Sequence, residues 1–139
     1  MNASYCLKPS GPGTVHFMVL LILAGLGSGC HKAWQMDYGE PAAQFLQAEL
    51  ASKARAFVGK KITVKGTVTK VDVSTPKSAA IHLAGGIRCN LGKFKAMAES
   101  CTIGDTVYVD GFLKHCREGD ILLDPALLRD PGAPFSPKE

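Results

Sequence analysis

A chain of 139 residues with a formal charge of +4 has the length of a single domain. The charge is a mild excess, short of the clustered basic character of a dedicated nucleic-acid binder, and it fits a solvated surface. Apolar content is sufficient for a core, but aromatic residues are few: one Trp, three Tyr and six Phe.

Residues 17–26, FMVLLILAGL, form an uninterrupted apolar run of ten. A bilayer-crossing helix needs about 20 residues, so this run matches the core of a signal peptide instead. Lys8 and the amino terminus precede it, and Pro9, Gly11, Pro12 and Gly13 would not hold a helix. Gly27, Ser28 and Gly29 follow, and then Cys30. This small-residue run ending in cysteine resembles a bacterial lipoprotein signal, in which the cysteine thiol takes a diacylglyceryl group and becomes the new N-terminus. Such signals usually carry Leu three positions before the cysteine; here Gly27 stands there and Leu26 is one place further out. The resemblance implies a signal over residues 1–29 and lipidation at Cys30. It also implies a lipid-anchored protein on the periplasmic side of the bacterial cell envelope. An ordinary cleaved signal and an uncleaved anchor are the alternatives. One acyl chain holds a membrane only marginally, so stable anchoring needs more than one; bacterial lipoproteins, by resemblance, carry two or three.

Residues 30–39 read as a short tether. The period then changes. Ala42, Phe45, Leu46, Leu50, Ala54, Phe57 and Val58 recur at spacings of three and four, which predicts one amphipathic lead-in helix over residues 41–58. Pro41 suits its first turn, Asp37 and Glu40 lie near the positive end of its dipole, and Gly59 suits the position just past its end.

Residues 59–72, GKKITVKGTVTKVD, are the clearest strand. Ile62, Val64, Gly66 and Val68 share one face, and Thr63, Lys65, Thr67 and Thr69 the other, the period of a half-buried strand. Four more strands follow: Ala79–Leu83, Ile87–Leu91 after the Gly85-Gly86 turn, Thr106–His115, and Ile121–Leu128 with a break at Pro125. Helical composition falls between the third and fourth of these five, where Phe94, Met97 and Ala98 lie three and four apart. From Asp130 the chain is rich in Pro and Gly and is expected to fray, with a flexible tail over 131–139. Five strands with a helix between the third and fourth is the order of an OB-fold, a small Greek-key barrel. The domain spans residues 40–130, lead-in helix included. Gly66 and Gly111, in the middle of the first and fourth strands, let those strands bend.

The strings AFVGKKITVKGTVTKVD, IHL, IRCNL, GDTVYVDGFLKHC and GDILLDPALL resemble the tRNA_anti-like family over roughly residues 45–128. That resemblance implies a small OB-fold protein, many of whose relatives are read as bacterial lipoproteins. The family name is no evidence of tRNA binding. Relatives often place a cysteine late in the fifth strand, where this chain has Ala126 and Leu127.

Cys6 lies in the signal region and Cys30 is the lipidation candidate, which leaves Cys89, Cys101 and Cys116 for an oxidising compartment. Three thiols allow at most one bridge. A Cys89–Cys116 disulfide would close a long loop and contribute about 3–4 kcal/mol, and Cys89–Cys101 is the competing pair. His82, Cys89, His115 and Cys116 are soft donors, but no CxxC or HExxH spacing joins them, so no metal is expected. No residue pattern asks for a cofactor. There is no G-x-S-x-G elbow, P-loop or zincin helix, and Asp105 and Asp120 follow turn glycines, where Asp is at home. The chain therefore reads as a non-enzyme.

The functional reading is a membrane-anchored binding module of unknown ligand, using the barrel face of the second and third strands and their flanking loops. One alternative is an oligonucleotide binder using Lys60, Lys65, Lys70 and Arg88, with Lys61 and Lys77 nearby. Aromatics for stacking are absent from the second and third strands. The other alternative is a docking module for a second envelope protein.

Overall fold

The strand at Lys61–Asp72 organises the fold. The structure is a computed structural model and describes residues 39–139, which fall within the unit Met36–Glu139. The expected signal over 1–29, Cys30 and the tether up to residue 38 lie outside the described residues. The elements are β1 (Ala43–Leu46), α1 (Gln47–Lys53), a single 3-10 turn (Arg55–Phe57), β2 (Lys61–Asp72), β3 (Ala79–Leu83), β4 (Ile87–Gly92), α2 (Lys95–Glu99), β5 (Thr106–Arg117) and β6 (Asp120–Leu128).

Strands β2–β3–β4–β6–β5 pair in that order, and β5 pairs back onto β2 to close the barrel. Only the β4–β6 contact within the barrel is parallel. With α2 between the third and fourth barrel strands, this is a five-stranded OB-fold. The inward residues of alternating strands, among them Ile62, Val64, Ile81, Ile87, Leu113 and Leu123, are fully buried. Five barrel strands therefore form where the alternation predicts them, because each has one face to bury.

The expected helix over 41–58 differs. Its first turn is instead the strand β1, paired in parallel with β2 from Ala43 opposite Ile62 to Leu46 opposite Lys65. Ala43 and Phe45 point inward, and Leu46 is exposed. Phe45 satisfies both periods, and the open edge of β2 offers hydrogen bonds that an isolated helix turn would not. The helix proper is limited to Gln47–Lys53, all good or neutral helix formers, with Glu49 and Lys53 paired at 3.1 Å. Leu50 and Ala54 are its buried contribution, while Val58 lies exposed.

Gly66 has a packing role beyond bending. A Cβ there would lie 2.6 Å from Gln47 Oε1 and 2.9 Å from Leu83 Cδ1. The glycine thus lets the start of α1 close over β2. A register shift between Val68 and Lys70 leaves Thr69 as an extra residue, so Lys70 and Asp72, not Thr69, continue the outward face.

Two further expectations change. Thr63, on the polar face of β2, is fully buried, and Lys61 nearly so. Residues 130–139, expected to fray, lie folded back over that face: Ser136 N–H donates to Gln44 Oε1 at 2.6 Å and Lys138 N–H to Gln44 O at 2.8 Å.

Candidate binding face

The bulge at Thr69 brings three basic side chains into one row. Lys70 on β2 stands opposite His82 on β3, and His82 opposite Arg88 on β4. Residues directly opposite on adjacent strands share a face with Cβ atoms about 5 Å apart. The two cations therefore flank the imidazole across about 10 Å of sheet. Lys70 and Arg88 are exposed and His82 half-buried. Burial, and then the charges of Lys70 and Arg88, push the His82 pKa down; Asp72 opposes them. Asp72 also lies 4.0 Å from Lys70 Nζ. Hydrogen bonds from the Ser74 hydroxyl and N–H hold the Asp72 carboxyl below its usual value. A second polar pair adjoins the row, with Asn90 Nδ2 donating to Asp124 Oδ1 at 3.1 Å.

The four basic residues expected to form one surface divide. Lys70 and Arg88 belong to the row. Lys65 lies on the other half of β2, with its Nζ 5.5 Å from the centre of the Tyr108 ring. Lys60 lies before β2, over Phe57 at 5.6 Å. His82, a soft donor in the sequence, is the centre of the row. Its signal was the outward parity of IHL against IRC across the Gly85-Gly86 turn, which sets His82 opposite Arg88. His82 faces out, whereas the neighbouring Cys89 faces the core.

Among the described residues neither expected bridge, Cys89–Cys116 nor Cys89–Cys101, forms. Cys89, Cys101 and Cys116 are free and buried. Cys89 on β4 and Cys116 on β5 are separated by β6, which pairs with both strands. Two strand spacings are about 9.6 Å, beyond the roughly 7 Å Cα separation that a disulfide spans. The expected Cys89–Cys116 bridge is therefore excluded by strand order. Cys101 and Cys116 direct their thiols at helical carbonyls instead, Met97 O at 3.6 Å and Leu50 O at 3.5 Å. Burial pushes all three thiols up, that of Cys89 furthest.

On the opposite face, Asp110 of β5 collects a polar cluster. It accepts from the Thr63 hydroxyl, and Lys61 Nζ and Arg129 Nη1 lie 3.8 and 3.5 Å from its oxygens. Arg129 Nη1 also donates to Thr63 Oγ1 at 3.0 Å, and Lys61 donates to Gly39 O. Arg129, one residue beyond β6, carries no sequence signal for this position.

No family model matches the chain, and no characterised protein matches its sequence. Solved structures similar to it include a candidate nucleic acid-binding lipoprotein from Klebsiella pneumoniae, 13% identical, with a TM-score of 0.42 over 60% of this chain and 82% of that one. A candidate aspartyl-tRNA synthetase from Leishmania major is 12% identical, with a TM-score of 0.44 over 81% of this chain and 26% of that one. This chain thus spans about a quarter of the synthetase's length. Likenesses of this degree carry nothing about the face itself.

Proposed function

We propose that the protein is a non-catalytic OB-fold binding module that takes an anionic ligand on the outer face of β2, β3 and β4. The observation that carries this reading is the in-register row Lys70–His82–Arg88. Two exposed cations on β2 and β4, held apart by β3, provide a fixed charge spacing. His82 between them supplies ring donors and an additional charge when protonated. The outer faces of β3 and β4 carry no aromatic residue, so charge rather than base stacking would supply the affinity. We further propose that the module is exported and tethered to a bacterial envelope membrane through acylated Cys30.

The probes are inorganic polyphosphate and a single-stranded oligothymidylate, each titrated at two salt concentrations. Binding should weaken steeply with salt for both, and Lys70→Glu with Arg88→Glu should abolish it. Unchanged binding in that double variant refutes the assignment of the face. Oligothymidylate binding far tighter than polyphosphate would favour the oligonucleotide alternative. The tether is tested separately by metabolic lipid labelling of wild type and Cys30→Ser: an unlabelled wild type ends the lipoprotein reading.

A further inference from the structure

The outer face of the first half of β2 and of β5 is a different surface from the basic row, and residues 130–139 lie on it. After Arg129 the chain reverses in a turn, with Ala133 N–H donating to Asp130 O at 3.0 Å and Gly132 N–H to Asp130 Oδ1 at 2.9 Å. Phe135 then sets its ring edge-on to Tyr108, with centroids 5.2 Å apart. Arg129 Nη2 donates to Pro134 O at 2.8 Å. Ser136 N–H and Lys138 N–H meet the side chain and main chain of Gln44, on the strand that ends the sheet order. Lys138 Nζ lies 4.8 Å over the centre of the Phe57 ring.

These are the contacts by which proteins hold extended peptides: a main-chain hydrogen bond to an edge strand, an aromatic anchor, and a cation over a ring. The segment adds no side chain to the buried core, whose last member is Leu127. Its hold is therefore made of surface contacts that another segment of the same chemistry could make. We propose that this surface is a peptide-binding site, occupied in cis by residues 130–139. It takes from a second polypeptide an extended segment with the same order of aromatic, small, proline and basic residues. A cis occupant acts at an effective concentration of about millimolar. An incoming segment must therefore bind the open site much more tightly than that, or arrive when the resident segment is released.

The test uses the full chain with Phe135→Ala and Lys138→Ala, which loosens the occupant and leaves the barrel intact. A fluorescein-labelled peptide of residues 132–139, GAPFSPKE, is titrated by anisotropy against this variant and wild type. The loosened chain should bind at least tenfold more tightly than wild type. Adding Tyr108→Ala should remove the binding, as should replacing the peptide's own phenylalanine by alanine, a control that leaves the protein untouched. Absence of saturable binding to the loosened chain overturns the proposal, as does equal binding to both chains. A melting curve accompanies each titration. A loosened chain that fails to fold also overturns it, because residues 130–139 would then be a structural part of the barrel and not a displaceable occupant.

Discussion

Gln47 Oε1 accepts a 2.7 Å hydrogen bond from the backbone N–H of Thr67. Along this edge of β2, the pairing with β1 ends at Lys65 and the pairing with β3 begins at Val68. The side chain thus fills a gap in the ladder that would otherwise leave a donor unsatisfied. Gly66, next to that donor, provides the room.

A methyl group at Gly66 would meet both Gln47 and Leu83 closer than van der Waals contact allows. Gly66→Ala is expected to cost about 1–3 kcal/mol in urea unfolding through overpacking. Gln47→Ala is expected to cost about 1–2 kcal/mol by orphaning the Thr67 N–H. Because the two side chains compete for one space, the double variant should lose less than the sum of the singles. Strict additivity would show that Gly66 does not act through Gln47.

Asp110 balances two cations in a site where Lys61, Asp110 and Arg129 are each less than a fifth exposed. Asp110→Ala should therefore destabilise the fold by about 2–4 kcal/mol, since it leaves two largely buried positive charges without their counter-charge. Adding Lys61→Met should recover part of that loss. The comparison is made by chemical denaturation at constant salt, and a loss below 0.5 kcal/mol, about that of an exposed ion pair, refutes the buried-cluster reading.

His82 titrates below its ordinary value of about 6.5 in the folded chain. The native state therefore binds its proton less readily than the unfolded state does. The resulting stability is complete above the unfolded value and is lost as pH falls through the folded one. A polyanion on the row has the opposite effect, because it favours the imidazolium. Its affinity should rise over the pH interval in which the free protein loses stability. Parallel urea melts and polyphosphate titrations at pH 7.5 and 5.5 check both signs, and His82→Gln should flatten both. Affinity that falls on acidification contradicts the placement of His82 in the binding face.

Cys89 lies on the inner face of β4 and is fully buried, with its thiol pKa raised far above the usual value. Brief iodoacetamide treatment of the native chain at pH 8 should leave Cys89 unmodified by peptide mass spectrometry, whereas denatured chain reacts fully. Reduction should not change the pattern, since Cys89 and Cys101 carry free thiols and β6 keeps Cys89 from Cys116. A Cys89–Cys116 peptide in the unreduced digest would contradict the strand order.

The barrel strands were legible because each carries a two-residue period, and Gly85-Gly86 marks a tight turn that pairs Leu83 with Ile87. The first strand of the sheet was not. AQFL is composed of residues acceptable to a helix, and what makes it a strand is the free edge of β2, where each partner lies 19 residues away in sequence. The basic row was hidden by one inserted residue. Strict alternation sets Lys70 on the core side of Val68, and only the bulge at Thr69 turns it outward beside His82. Residues 130–139 read as loose because four of the ten are Pro or Gly; their anchors, Phe135 and Lys138, follow no periodicity.

The position of β6 has a consequence for how the molecule comes into being. It is the last of the described strands, yet it lies between β4 and β5 and pairs with both. Until Asp120–Leu128 arrives, β4 and β5 have nothing between them, and the sheet is an open ribbon with two unpaired edges. A ribosome that still holds those nine residues holds a chain that cannot close. The barrel therefore closes only once Asp120–Leu128 has been made, and a chain interrupted before Asp120 is a substrate for proteases and aggregation rather than a smaller working protein.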